Sequence, residues 1–110
     1  MANTFKNAVS SAIGTSQTSV YTVPASTTTT VIGLTVSNIT ASAITVDVVL
    51  TDTSATTDVY LVKGATVPVG GALVPVGGDQ KVVLETTDII KVTSDTASSA
   101  DVIVSVLEQS

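Results

Sequence analysis

"TVIGLTVSNITASAITVDVVLTD", residues 30–52, decides the fold class. Its first half alternates: Ile32, Leu34 and Val36 share one face, while Gly33, Thr35 and Ser37 share the other. Its second half does the same, with Ile44, Val46, Val48 and Leu50 against Thr45, Asp47 and Thr51. A period of two is the mark of a pleated strand with one face buried. The short "TASA" at residues 40–43 predicts a tight connection, so the two strands are expected to pair as an antiparallel hairpin.

The same grammar runs outward in both directions. "TSVYTVP" (residues 18–24) predicts a strand stopped by Pro24. "DVYLVKG" (58–64) carries bulk on both faces, which predicts an interior or partly covered strand. "QKVVLE" (80–85), "IIKVTS" (89–94) and "DVIVSVLE" (101–108) follow, with Ile90 and Val92, then Val102, Val104 and Val106, on the inward faces. Eight or nine short strands at this spacing predict an all-β fold, an antiparallel β-sandwich of jelly-roll or Ig-like type, over residues 15–110. In residues 1–14, Phe5, Val9 and Ile13 recur every four positions, as a helix would have them. The Ser10-Ser11 pair and Gly14 favour extended chain instead, so an extended N-terminal arm or first strand is expected there.

Composition points the same way. Of 110 residues, Thr and Val supply 20 each and Ser 13, and strong helix formers are sparse. Threonine keeps the stiffness and β preference of a branched side chain while presenting a hydroxyl to water. Cysteine and histidine are absent, which removes disulfides, thiolate and imidazole metal ligands, and Ser-His-Asp chemistry. A net charge of −5, with four scattered lysines, repels phosphate backbones and predicts no nucleic-acid partner. No apolar run approaches the ~20 residues of a membrane helix, and residues 1–14 lack a secretory h-region, so neither a membrane partner nor Sec export is expected.

"VPVGGALVPVGGDQ" (67–80) repeats Val-Pro-Val-Gly-Gly after seven residues. A phosphate-binding loop needs a Lys-Ser/Thr ending and a following helix, whereas Gly77-Gly78 leads to Asp79 and a strand. The stretch predicts two turns, with positive φ supplied by Gly70-Gly71 and Gly77-Gly78, framing a short strand at residues 72–76. Pro75 places that strand near an edge. Asp47, Asp52, Asp58, Asp95 and Asp101 could gather around calcium, but no dense Asp-x-Asp loop is present, and turn capping is the expected role. Paired-carboxylate catalysis on sugars would want aromatic platforms, and the chain has Phe5, Tyr21 and Tyr60 alone. No catalytic, cofactor or metal site is expected. Tyr21 and Tyr60 are expected at the core margin. Phe5 either folds back on the core or anchors residues 1–14 to a neighbour. Phe5, Lys6, Leu73 and Val74 are the candidate interface residues.

Several stretches resemble small β-sandwich virion structural proteins of tailed bacteriophages. They are Tyr21-Thr22-Val23-Pro24, the Asn38–Ala43 turn, Tyr60-Leu61-Val62-Lys63, Gly77-Gly78-Asp79-Gln80-Lys81 and Ser98-Ser99-Ala100-Asp101-Val102. The resemblance spans about Ser16 to Glu108. It implies a non-enzymatic role, first as a capsid decoration (cement) protein on the major capsid shell, otherwise as a neck, tail or fibre-associated component. It also implies a homo-oligomer, with a trimer plausible, assembled in the bacterial host cytoplasm and residing in the virion. A receptor- or glycan-binding module is the alternative from another class.

Overall fold

The computed structural model describes residues 3–77 and 81–110. Nine strands run in order: β1 (Asn3–Ile13), β2 (Thr18–Thr22), β3 (Thr28–Asn38), β4 (Ile44–Asp52), β5 (Thr57–Val67), β6 (Ala72–Val76), β7 (Val82–Leu84), β8 (Ile89–Ser94) and β9 (Ala100–Gln109). They form two antiparallel sheets packed as a sandwich. Sheet A has the order β1-β9-β3-β6, with β7 also on β3; sheet B has the order β2-β8-β4-β5.

Pairing follows a nested scheme. β1 meets β9, β2 meets β8, β3 meets β6 and β7, and β4 meets β5. This is one long antiparallel ribbon, rolled over so that β9 also meets β3 and β8 also meets β4. That winding is a jelly roll. An Ig-like sandwich would instead keep its first two strands side by side in one sheet; here β1 and β2 lie in different sheets.

The expected β3–β4 hairpin does not form: β4 has the expected bounds and β3 starts two residues earlier than expected, but the two strands sit in opposite sheets. Asn38 explains the corner. Its side chain is buried, and its Nδ2 donates to the Ser42 carbonyl (2.8 Å) and the Val67 carbonyl (3.1 Å). Its Oδ1 accepts from the Thr40 N–H at 2.8 Å. One amide thus fixes the β3–β4 turn and ties it to the end of β5 in sheet B, where the chain leaves sheet A. β5 is a second correction: it is the edge strand of sheet B rather than an interior one, and Val59 and Tyr60 are exposed.

Val31, Leu34, Val36, Ile44, Val46, Val48, Ile90, Val92, Val102, Val104 and Val106 fill the space between the sheets, each almost wholly buried. Burying each such side chain contributes ~1.5–3 kcal/mol against its exposed state. Two departures from strict burial alternation occur, and the first comes from a bulge. The β3–β9 register shifts between Val31 and Gly33, so Val31 enters the core and Ile32 is half-buried. On β4 the register with β8 is unbroken, so Val49 keeps its place on the outer face, yet it is buried beside the irregular pairing with β5, while Leu50 is half-buried against the core.

Residues 3–13, expected as an arm or a first strand, pair with β9 from Asn3↔Gln109 to Ile13↔Ala100. β6 occupies residues 72–76 at the edge of sheet A, with Pro75 in it. The glycines around it work differently from expectation. Gly70 has φ +68, but Gly71 is needed for space: a Cβ there would meet Pro68 Cγ at 2.8 Å and the Pro68 carbonyl oxygen at 3.2 Å. A Cβ on Gly77 would meet Val74 Cγ1 at 2.8 Å. The expected turn at Gly78 and the charge of Asp79 lie outside the described residues.

Candidate interaction surface

The outward positions of sheet A build one surface from four strands. Phe5 on β1 pairs with Leu107 on β9; Leu107 pairs with Thr30 on β3, and Thr30 with Val83 on β7. Farther along, Val9 pairs with Ile103 and Ile103 with Thr35. Between these rows lie Asn7, Ser105 and Gly33. Phe5 is 74 % exposed, Val9 67 % and Val83 63 %. Apolar and hydroxyl groups therefore alternate across the face. A shallow cleft of about 370 Å³ opens where Val9, Ser10, Thr35 and Ile103 converge beside Asp101.

Charge is distributed unevenly. Among the outward positions of β1, β9 and β3, Asp101 is the sole charged residue, and its Oδ1 accepts the Ala12 N–H at 2.9 Å, at the bulge that ends the β1 register. Asp47, Asp52 and Asp58 belong to sheet B. Tyr60, on the edge strand β5, is half exposed rather than at the core margin, and the Lys63 ammonium sits 4.5 Å from the centre of its ring.

The four candidate interface residues do not gather at one place. Phe5 and Lys6 are on β1, Leu73 and Val74 on β6, at opposite edges of sheet A. Three strand spacings, ~14 Å, separate those edges. Phe5 does not fold back on the core, and Val74 is exposed, whereas Leu73 packs against the core. Lys6 turns to Glu108, Nζ to Oε2 3.8 Å. Pattern reading missed Val9, Val83, Ile103 and Leu107, because an outward apolar residue looks the same in sequence as an inward one until a register is known.

No protein-family model, no curated protein sequence and no solved structure matches this chain.

At one end of the sandwich a polar cluster joins the sheets. Tyr21 of β2 donates its hydroxyl to Glu108 Oε2 at 2.5 Å, and the Thr29 hydroxyl lies 2.9 Å from the same phenolic oxygen. Since Tyr21 has one proton to give, Thr29 supplies the other hydrogen. Burial first, and the Glu108 carboxylate second, push the Tyr21 hydroxyl up to about 12. Glu108 occupies the inward position after Val106, where the alternation alone would ask for another apolar residue.

Of the aspartates expected to cap their own turns, Asp52 does so through the Ala55 N–H, while the others reach groups on other segments. Asp47 accepts the Gly64 N–H, Asp58 the Thr51 hydroxyl and Asp95 the Thr45 N–H. The Ala55 N–H holds Asp52 below the usual carboxylate range, and the Thr45 N–H does so for Asp95. Asp52, Glu85 and Asp88 bring carboxylate oxygens within 4.8 Å of one another. Glu85 and Asp88 were not expected there. Asp88 is buried with both oxygens engaged, by the Thr53 and Glu85 N–H groups, so its geometry is that of a turn cap. Among the described residues, no buried side-chain nitrogen or oxygen lacks a partner.

Proposed function

We propose that this chain is a non-enzymatic structural component of a tailed-phage virion, a decoration protein that docks on the major capsid shell through the outer face of sheet A. The observation that carries the reading is that face: a broad, nearly uncharged surface of Phe5, Val9, Val83, Ile103 and threonine hydroxyls on a chain of net charge −5. Several large exposed apolar side chains gathered on one face of a small domain mark a contact region. A flat face of modest stickiness suits a partner that repeats by symmetry, where many weak contacts add up. The motif resemblance to phage virion proteins agrees with that use.

Quantitative mass spectrometry of purified particles tests the placement. Decoration requires copies in the hundreds; about 6–12 copies fit the symmetry of a neck or tail instead and overturn the capsid placement. A paired variant tests the face. Val83→Asp with Ile103→Asp alters two exposed positions, so the fold is expected to persist while incorporation into particles is lost. Undiminished incorporation would refute docking through this face.

A further inference from the structure

A sandwich has four free edges, and three of them are blunted in this chain. β2 has five residues and a register shift between Ser19 and Tyr21. β6 carries Pro75 and β7 is three residues long. β5 is long, but it has two shifts against β4, Gly64 at φ +63, and the charges of Asp58 and Lys63. Short strands, proline, bulges and charges are the devices that stop an edge from accepting another strand. β1 carries the fewest of them, one lysine and a register shift confined to its end, between Ser10 and Ile13. Its register with β9 is unbroken from Asn3 to Ser10, it contains no proline, and its one charged residue, Lys6, is turned to Glu108 of its own chain.

We propose that β1 is a pairing edge for β1 of a second copy, forming a two-fold dimer in which the two A sheets become one. The choice of a second copy rests on charge and on self-complementarity. Two copies of a chain of net charge −5 repel wherever carboxylates meet, and β1 is an edge along which they can meet with no carboxylate in the strand pair. Side-chain parity then limits the register. Outward residues must face outward residues, so the axis passes through a residue rather than between two. An axis at Lys6 would set ammonium against ammonium, which is unfavourable. An axis at Ala8 would drive the pairing into the bulge between Ser10 and Ile13. An axis at Asn7 avoids both. It sets Phe5 opposite Val9 of the second copy, twice by symmetry, with the two Asn7 side chains between them. Lys6 then faces Ala8.

This register gives two of the most exposed apolar residues, Phe5 and Val9, a partner each. The contact is isologous, so each edge is used once and growth stops at two copies instead of continuing into a fibre. It excludes a trimer built through this edge. The interface is small, under about 1,200 Å², so the dimer is expected to depend on concentration. The inference is independent of any place in a virion.

Sedimentation equilibrium on the purified chain is the first test. A reversible species of twice 11.0 kDa is expected at concentrations up to about 200 µM. The chain has no cysteine, so Asn7→Cys introduces one thiol, placed at the axis. Mild oxidation should link it into a covalent dimer about tenfold faster than Lys6→Cys at the same concentration. Phe5→Lys with Val9→Lys opposes like charges and should weaken the dimer at least about tenfold, whereas Phe5→Lys with Val9→Glu opposes unlike charges and should retain it. All these positions are at an exposed edge, and circular dichroism checks that each variant folds. A monomer throughout the concentration range, a trimer, equal cross-linking at positions 6 and 7, or identical behaviour of the two charge variants would each overturn the proposal.

Discussion

Replacing Tyr21 by Phe isolates the polar link between the sheets. The ring stays in place and the hydroxyl goes. Glu108 then loses the proton it accepts at 2.5 Å, and the buried Thr29 hydroxyl loses its acceptor at 2.9 Å. A hydrogen bond to a charged group contributes about 1.5–3 kcal/mol, and the stranded hydroxyl of Thr29 adds a desolvation cost. Lys6 at 3.8 Å still offsets part of the Glu108 charge, and the gain in apolarity at residue 21 works in the opposite direction. The net loss should be about 2 kcal/mol. For a chain of 110 residues, 1 kcal/mol corresponds to roughly 4 °C in Tm, so the variant should melt about 8 °C lower. Urea unfolding at pH 7 with an unchanged slope measures the free energy. A double-mutant cycle with Glu108→Gln should show coupling above about 0.5 kcal/mol. The pH dependence supplies an independent check. The hydroxyl titrates near 10.0 when unfolded and at about 12 when folded, so the unfolded chain releases its proton first. The stability from this group is complete below pH 10 and falls as pH rises toward 12. The variant should lack that component of the decline. A loss below about 0.5 kcal/mol, or an additive cycle, would refute the account of Glu108 as a carboxylate held by Tyr21.

Asn38→Ala should destabilise by ~1–3 kcal/mol in urea unfolding, because it removes the amide bonds to the Val67 carbonyl and the Thr40 N–H, while the Ser42 carbonyl keeps the Thr40 hydroxyl. Gly71→Ala should cost ~1–3 kcal/mol, since its Cβ would press on the rigid Pro68 ring and carbonyl; Gly77→Ala should cost less, as the γ-methyl of Val74 is on an exposed side chain that can turn away. Asp52 and Asp95 titrate lower in the folded chain than in the unfolded one. The stability they supply is present above the ordinary carboxylate pKa and is lost as pH falls through their lowered values. The urea midpoint of the Asp95→Asn variant should therefore vary less with pH between about 5 and 2 than that of the parent chain.

Strand content was legible because it rests on a local signal. Ile44 to Leu50 alternate, and β4 spans Ile44–Asp52; Ile90 and Val92 alternate, and β8 spans Ile89–Ser94. Partnership was not legible, because it rests on contacts between distant residues. Nothing within residues 30–52 distinguishes a turn that doubles back in one sheet from a corner that changes sheets. The deciding contact, Asn38 to the Val67 carbonyl, lies 29 positions away. The bulge at Val31–Gly33 exchanged Ile32 for Val31 in the core for a similar reason: its position depends on the register with β9. The candidate surface divided the same way. Phe5 stood out as a lone phenylalanine. Val9, Val83 and Ile103 joined it on one face only after three separate pairings had placed them there.

The position of β9 between β1 and β3 also sets a schedule for the nascent chain. Asn3 waits for Gln109 and Thr28 waits for the same residue, so both strands leave the ribosome without the neighbour that will hold them. At about 5–20 residues per second, the roughly 90 residues between the end of β1 and the start of β9 take about 5–20 s to appear. For β3 the wait is shorter, roughly 60 residues or about 3–12 s, and until it ends the valine-rich inner face of β3 has no neighbour on its β9 side; long-range sheet pairing is slow to close such gaps. Yield in cells should thus respond to chaperone supply and to growth temperature more than the stability of the finished sandwich would suggest.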